Sequence, residues 1–189
     1  MENSNLEKNE NKFITFFKKK QKIFIFLSLI FVTAILIWFG FLNSQNKNNV
    51  KLSEKYNLAN ILIKDEKLKE AKSILNELIK KENKFYSPAA LNLIIENNLE
   101  KNQDIILLYF DDILNMRSLD QEKKNLYKLK KAYFLGETDK ENLILETLRP
   151  LIKSNSIWKK NAIIFLQEYY LSRGQKNKAI EFQELLSQK

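Results

Sequence analysis

The side chains that most often carry enzymatic chemistry are missing from this sequence. With no His and no Cys, it lacks the commonest general base at neutral pH, the thiolate nucleophile and most transition-metal ligands. Asp111 and Asp112 are the obvious carboxylate pair. Neighbouring residues on a helix point in different directions, however, so the two read as a solvated face rather than a proton-sharing dyad. The three glycines, at 40, 136 and 174, are too few and too scattered for a phosphate-cradling loop. An enzyme is not expected, and neither are a cofactor, a metal or a small-molecule substrate. What remains is recognition by polar side chains on a helical surface. The candidates are Asn60, Lys64, Asn97, Asn98, Asn161 and Glu168, and whether they can act together depends on the elements that carry them.

From Leu52 onward those elements are helical almost throughout. Leu52, Tyr56, Ala59 and Ile63 fall at i, i+4, i+7 and i+11, and Leu68, Ala71, Leu75 and Leu78 repeat the three-to-four spacing of a helix buried on one face. Asp65-Glu66 leaves room only for a tight corner, so the two helices pack antiparallel. The unit recurs. Ser87-Pro88 predicts an N-cap and first-turn proline opening a helix through Leu91, Ile94 and Ile95, which fades at Asn97-Asn98 and is followed by a partner with Ile105, Leu108, Tyr109 and Ile113. Ser118 with Gln121 and Thr138 with Glu141 read as capping boxes. The first opens a helix with Leu126, Leu129 and Tyr133 that meets Gly136, and the second a helix with Leu145 and Leu148 that Pro150 should end or kink. After Ser154-Asn155-Ser156 a long helix over residues 157–173 carries Ile163, Leu166 and Tyr170. Gly174 closes it, and a last helix follows from about Asn177 to Ser187. Eight helices in four hairpins result.

Equivalent positions on the second helices, Ala71, Ile105, Leu143 and Ala179, lie 34, 38 and 36 residues apart. A period in that range, carried by helix pairs, marks a helical solenoid, in which each hairpin buries its apolar face only by stacking on its neighbours. Ala59, Ala71, Gly136, Gly174 and Ala179 are the small residues expected at its contacts and corners. The six polar candidates would face the groove formed by the first helices. Trp158 and Tyr169 are expected in the core.

The first 51 residues are different. Residues 23–42, IFIFLSLIFVTAILIWFGFL, carry no charge and are long enough as a helix to span about 30 Å of hydrocarbon. The run exceeds the roughly 7–15 apolar residues of a signal peptide and lacks its small-x-small cleavage site, so a transmembrane anchor is expected, with Trp38 at its outer interface. Six lysines precede it and three follow within a comparable distance, which predicts a cytoplasmic tail over 1–22 and the bulk of the chain across the membrane. Residues 43–51 are polar and read as a linker, and the repeat domain occupies 52–187. The net charge of +9 invites a nucleic-acid interface, but the chain has only three arginines among 32 basic residues, and Arg supplies the bidentate contacts such interfaces use. Lysines interleaved with glutamates make a solvated helical surface, and no nucleic-acid partner is expected.

The repeat pattern resembles the tetratricopeptide repeat family. In the first hairpin Leu58, Ala59 and Leu62 match its first-helix positions, and Ala71, Leu75 and Leu78 its second. In the fourth, Leu166, Tyr170, Gly174 and Ala179 match. Gln167, Ile105 and Leu143 depart from the family pattern. The whole layout, with the run Leu145 to Leu186 including Pro150, Trp158, Ala162, Gly174 and Ala179, is similar to the YfgM-like ancillary subunits of the SecYEG translocon. That resemblance implies a single-pass protein of a bacterial inner membrane whose periplasmic domain contacts the translocon, periplasmic chaperones or exported substrates. The expectation is thus an all-α, membrane-tethered scaffold for protein-protein interaction. An adaptor for envelope assembly or cell division, and a cytoplasm-facing basic domain binding nucleic acid, are the alternatives.

Overall fold

The computed structural model describes the backbone of residues 2–137 and 140–187; the side chains of 2–19, 21–22, 24 and 40–46 lie outside the described set. The fold is all-α, its elements being α1 (Glu2–Lys64), α2 (Leu68–Ile79), α3 (Tyr86–Glu96), α4 (Gln103–Asn115), α5 (Gln121–Gly136), α6 (Glu141–Ile152), α7 (Lys159–Ser172) and α8 (Lys176–Ser187). Two compact units divide the chain, Met1–Lys51 and Leu52–Lys189.

In the first unit the backbone is helical, and Ile23 and residues 25–39 are exposed on every side. Ser28 Oγ donates to Ile25 O at 2.8 Å and Thr33 Oγ1 to Ile30 O at 2.8 Å, so both hydroxyls are satisfied by their own helix. Among the described residues no helix is long and apolar enough to cross a membrane. The expected span of 23–42 includes residues 24 and 40–42, whose side chains lie outside them. The polar run 43–51, expected as a linker, is helical within α1. Its Asn, Gln, Ser and Lys residues each cost a helix only a few tenths of a kcal/mol, and neither Gly nor Pro interrupts it.

The second unit consists of sequential antiparallel helix pairs: the end of α1 with α2, then α3/α4, α5/α6 and α7/α8. Pairing follows from the buried stripes. Leu52, Ala59, Leu62, Ala71, Leu75 and Leu78 enter one apolar cluster that continues through α3 and α4 to Tyr127, and a second cluster runs from Leu129 to Ala179. Ala59, Ala71 and Ala179 are buried, as expected of contact positions, and each large aliphatic side chain buried beside them contributes roughly 1.5–3 kcal/mol. Tyr169 lies in the second cluster and Trp158 packs half-buried against it.

Three corners use one device. After α1, α3 and α7 the residue past the C-cap takes a left-handed backbone, at Glu66 (φ 59°), Asn98 (φ 50°) and Gly174 (φ 72°). In each the next amide reaches back to the carbonyl of the third-last helical residue: Lys67 N to Leu62 O at 2.8 Å, Leu99 N to Ile94 O at 2.9 Å and Gln175 N to Tyr170 O at 2.9 Å. This is the Schellman closure, which satisfies carbonyls a helix end leaves open. Gly174 is therefore the corner residue its position suggested.

Several local expectations are corrected. Ser87 is not the N-cap of α3, which opens at Tyr86. Asn83 Oδ1 accepts the Phe85 and Tyr86 amides at 3.0 and 3.1 Å instead, and fully buried Ser87 donates to Leu78 O at 2.7 Å while accepting from Asn83 N at 2.9 Å. Pro88 still falls in the first turn, where a missing N–H leaves no bond unmade. The cap of α5 is Asp120, which accepts from Lys123 N at 2.9 Å, and Ser118 donates across the fold to Glu82 O at 2.7 Å. Thr138 lies outside the described residues. Helix α6 opens at Glu141 without a side-chain cap and runs on to Ile152 with Pro150 in its last turn. At the expected contact positions of α4 and α6 it is Ile106 and Ile144 that are buried, not Ile105 and Leu143, and Leu58 points outward. Gly136 does not end α5 by a left-handed turn. It is the last helical residue, and a Cβ there would meet Phe165 Cζ at 3.2 Å, so its smallness admits the α7 ring.

Candidate binding cavity

Between α3, α4 and α5 lies a cavity of about 510 Å³. Helical spacing explains its walls. Asn92, Ile95 and Glu96 share one face of α3 at i, i+3 and i+4, and Lys130, Tyr133 and Phe134 share one face of α5 at i, i+3 and i+4, with its C-cap Glu137 following at i+7. Ile106 and Phe110, one turn apart on α4, form the apolar floor, and Asn98 and Glu100 enter from the corner between α3 and α4. Asn98 is brought there by its left-handed backbone.

Aromatic contacts hold the walls in place. Phe110 and Phe134 have ring centroids 6.0 Å apart, and Tyr133 lies 4.4 Å from Phe165 of the next pair. Helix α5 is tied to α3 where Tyr127 OH donates to Pro88 O at 2.9 Å and Lys130 Nζ donates to Asn92 Oδ1 at 2.9 Å. Lys130 also stands 5.2 Å over the Tyr127 ring. The other side is open: Tyr133 remains 51% exposed, and Glu96, Asn98 and Glu137 are exposed with it.

The local field is uneven. Lys72 of α2 bonds Glu100 at 2.6 Å and, with the Asn102 amide, holds that carboxyl below the usual carboxylate range. Burial lowers the Lys130 ammonium from its ordinary value, opposed by the charge of Glu96, and burial pushes the Tyr127 phenol up to about 12. The phenol therefore stays protonated and a donor at neutral pH.

The cavity does not gather the six residues singled out in the sequence. Asn60 and Asn97 donate their amides to carbonyls of their own helices, Tyr56 O and Leu93 O, each at 3.0 Å. Lys64, Asn161 and Glu168 are exposed on α1 and α7. Of the six, Asn98 alone lines the cavity. Glu96, Tyr133 and Glu137 were missed because their convergence is tertiary; the i+3/i+4 set on α5 was the available signal. Asp111 pairs with Lys131 of α5 at 2.6 Å, while partial desolvation and the charge of Asp111 push Asp112 upward. The two carboxylates thus answer to different surroundings. Among the described residues no His, Cys, Asp or Glu cluster is placed to hold a metal ion. An aromatic wall, an apolar floor and a charged rim suit this cavity to holding a side chain. No family model matches the chain, and no curated protein or solved structure resembles it significantly.

Proposed function

We propose that the chain is a membrane-tethered helical-repeat scaffold, of the tetratricopeptide-like class, that recruits protein partners at the periplasmic face of a bacterial inner membrane, as an ancillary factor at the Sec translocon contacting chaperones or exported proteins. The observation that carries this reading is an open cavity built by one face each of α3 and α5 over α4, in a stack of helix pairs of the kind that presents extended binding surfaces. Further support comes from the apolar run of the first unit, whose two described hydroxyls are bonded within their own helix, as a hydrocarbon surrounding requires. Confinement to a membrane raises the effective concentration of weakly binding partners without new contacts.

Ion pairing argues against a nucleic-acid surface: Lys55, Lys72, Lys123, Lys131, Lys140 and Lys178 are engaged by carboxylates of the fold. A topology reporter fused after Lys189, combined with crosslinking mass spectrometry in native membranes, tests the proposal. A periplasmic signal and crosslinks to translocon subunits are expected. A cytoplasmic signal would overturn it, and crosslinks confined to envelope-assembly or division proteins would reassign the process it serves.

A further inference from the structure

The charge of the cavity runs against that of the chain. The sequence carries a net +9, yet the described lining holds three carboxylates, Glu96, Glu100 and Glu137, against one ammonium, Lys130. Internal partners neutralise only part of this set. Glu100 is bonded by Lys72, and the Lys130 ammonium is turned onto Asn92 and the Tyr127 ring. Among the described residues the carboxylates of Glu96 and Glu137 have no hydrogen-bond or ion-pair partner, although one ends α3, the other caps α5 and both line one cavity. Beside them rise two aromatic rings, the half-exposed Tyr133 and the partly buried Phe134.

Resting on the scaffold reading, we infer that this cavity takes a lysine or arginine side chain of a partner polypeptide, as an extended basic-apolar segment would present it. The aliphatic stem lies along Tyr133 and Phe134, and the cationic head sits between Glu96 and Glu137. The chemistry is complementary at each point. Long cationic side chains bury their stems on apolar surface and keep their heads polar, aromatic faces attract cations, and carboxylates accept charge-assisted hydrogen bonds. The volume falls within the roughly 300–1,000 Å³ usual for sites that enclose a ligand group. A neighbouring apolar residue of the same segment would reach the floor at Ile106 and Phe110. An acidic segment is excluded by the same charges.

The test is fluorescence anisotropy on the purified full chain in neutral detergent, with a labelled nonapeptide alternating lysine and leucine and its counterpart carrying glutamate for lysine. The lysine peptide should bind about tenfold more tightly than the glutamate peptide, and the double variant Glu96→Gln/Glu137→Gln should lose about fivefold to tenfold of that affinity. Tyr133→Ala, which leaves the charge unchanged, should lose about threefold to fivefold. Glu181→Gln/Glu184→Gln, an equal change of charge at exposed positions on α8, should lose nothing. Equal binding of the two peptides, or an equal loss in Glu181→Gln/Glu184→Gln, would overturn the inference in favour of diffuse electrostatics. Competition by free spermidine as effective as unlabelled lysine peptide would replace the polypeptide with a small polycation. Crosslinks to a partner elsewhere on the chain, with no peptide binding, would overturn the cavity assignment alone. A cytoplasmic C-terminus would overturn the scaffold's siting and leave a measured peptide affinity standing.

Discussion

Replacing Gly174 by valine isolates the energetics of a helix corner. Its φ is +72° and a Cβ built there meets nothing within 4 Å, so the substitution introduces backbone strain without a clash. A left-handed backbone costs an L-residue about 1–2 kcal/mol, and a β-branched one stands at the upper end. Valine also loses less backbone entropy on folding than glycine, which returns about 0.5–1 kcal/mol. The net loss is about 1 kcal/mol, a fall in Tm of about 3–5 °C for a domain of this size. Gly174→Asn should lose less than half as much, because asparagine enters this region more readily. The corner after α1 supplies the inverse experiment: Glu66 holds φ 59° with a side chain in place, so Glu66→Gly should raise Tm by about 2–3 °C. Thermal unfolding of the full chain in detergent, followed by circular dichroism at 222 nm, reads both. A Gly174→Val melt within about 1 °C of the parent, or a Glu66→Gly melt below it, would refute the strain argument.

Ser87→Ala should lower stability by about 1–2 kcal/mol, because it removes a fully buried hydroxyl that donates to Leu78 O and accepts from Asn83 N. The urea midpoint checks this, and an unchanged midpoint would mean the junction of α2 and α3 repacks freely. Tyr127 supplies a pH dependence. Its folded-state pKa of about 12 lies above the unfolded value of about 10, so its contribution is complete below pH 10 and is lost as pH rises towards about 12. Tyr127→Phe should lower stability by about 1 kcal/mol at neutral pH through the lost bond to Pro88 O, and should flatten the alkaline decline. Urea midpoints at pH 8 and pH 11 measure both, and an unchanged alkaline slope would place the lost stability on other groups.

How far the sequence could be read depended on how sharply each helix separates apolar from polar positions. Ala71 sits between Glu70 and Lys72, whose charges leave one inward choice, and it is buried; Ala179 lies between Lys178 and apolar Ile180, and of the two apolar neighbours the alanine is the buried one. On α4 the run Ile105-Ile106-Leu107-Leu108 and on α6 the run Leu143-Ile144-Leu145 place apolar residues on several faces, so periodicity admits more than one register. Packing against the neighbouring pairs then selects Ile106 and Ile144. These positions with Ala71 and Ala179 give separations of 35, 38 and 35 residues, so the spacing of the helix pairs was legible while the inward residue was not. The caps failed for a similar reason. Ser118 and Asp120 offer competing hydroxyl and carboxylate acceptors two residues apart, and the local pattern cannot show that Glu82 O lies within reach of Ser118. The cavity was least legible of all. Its carboxylates sit on α3, at the C-cap of α5 and at the corner between α3 and α4, each an ordinary glutamate in its own segment, and only the stacking of one pair on the next makes them neighbours. In this stack of helix pairs, then, a small residue flanked by charge, as Ala71 is, announces a contact between helices, whereas the cavity depends on the offset between pairs, which no single repeat encodes.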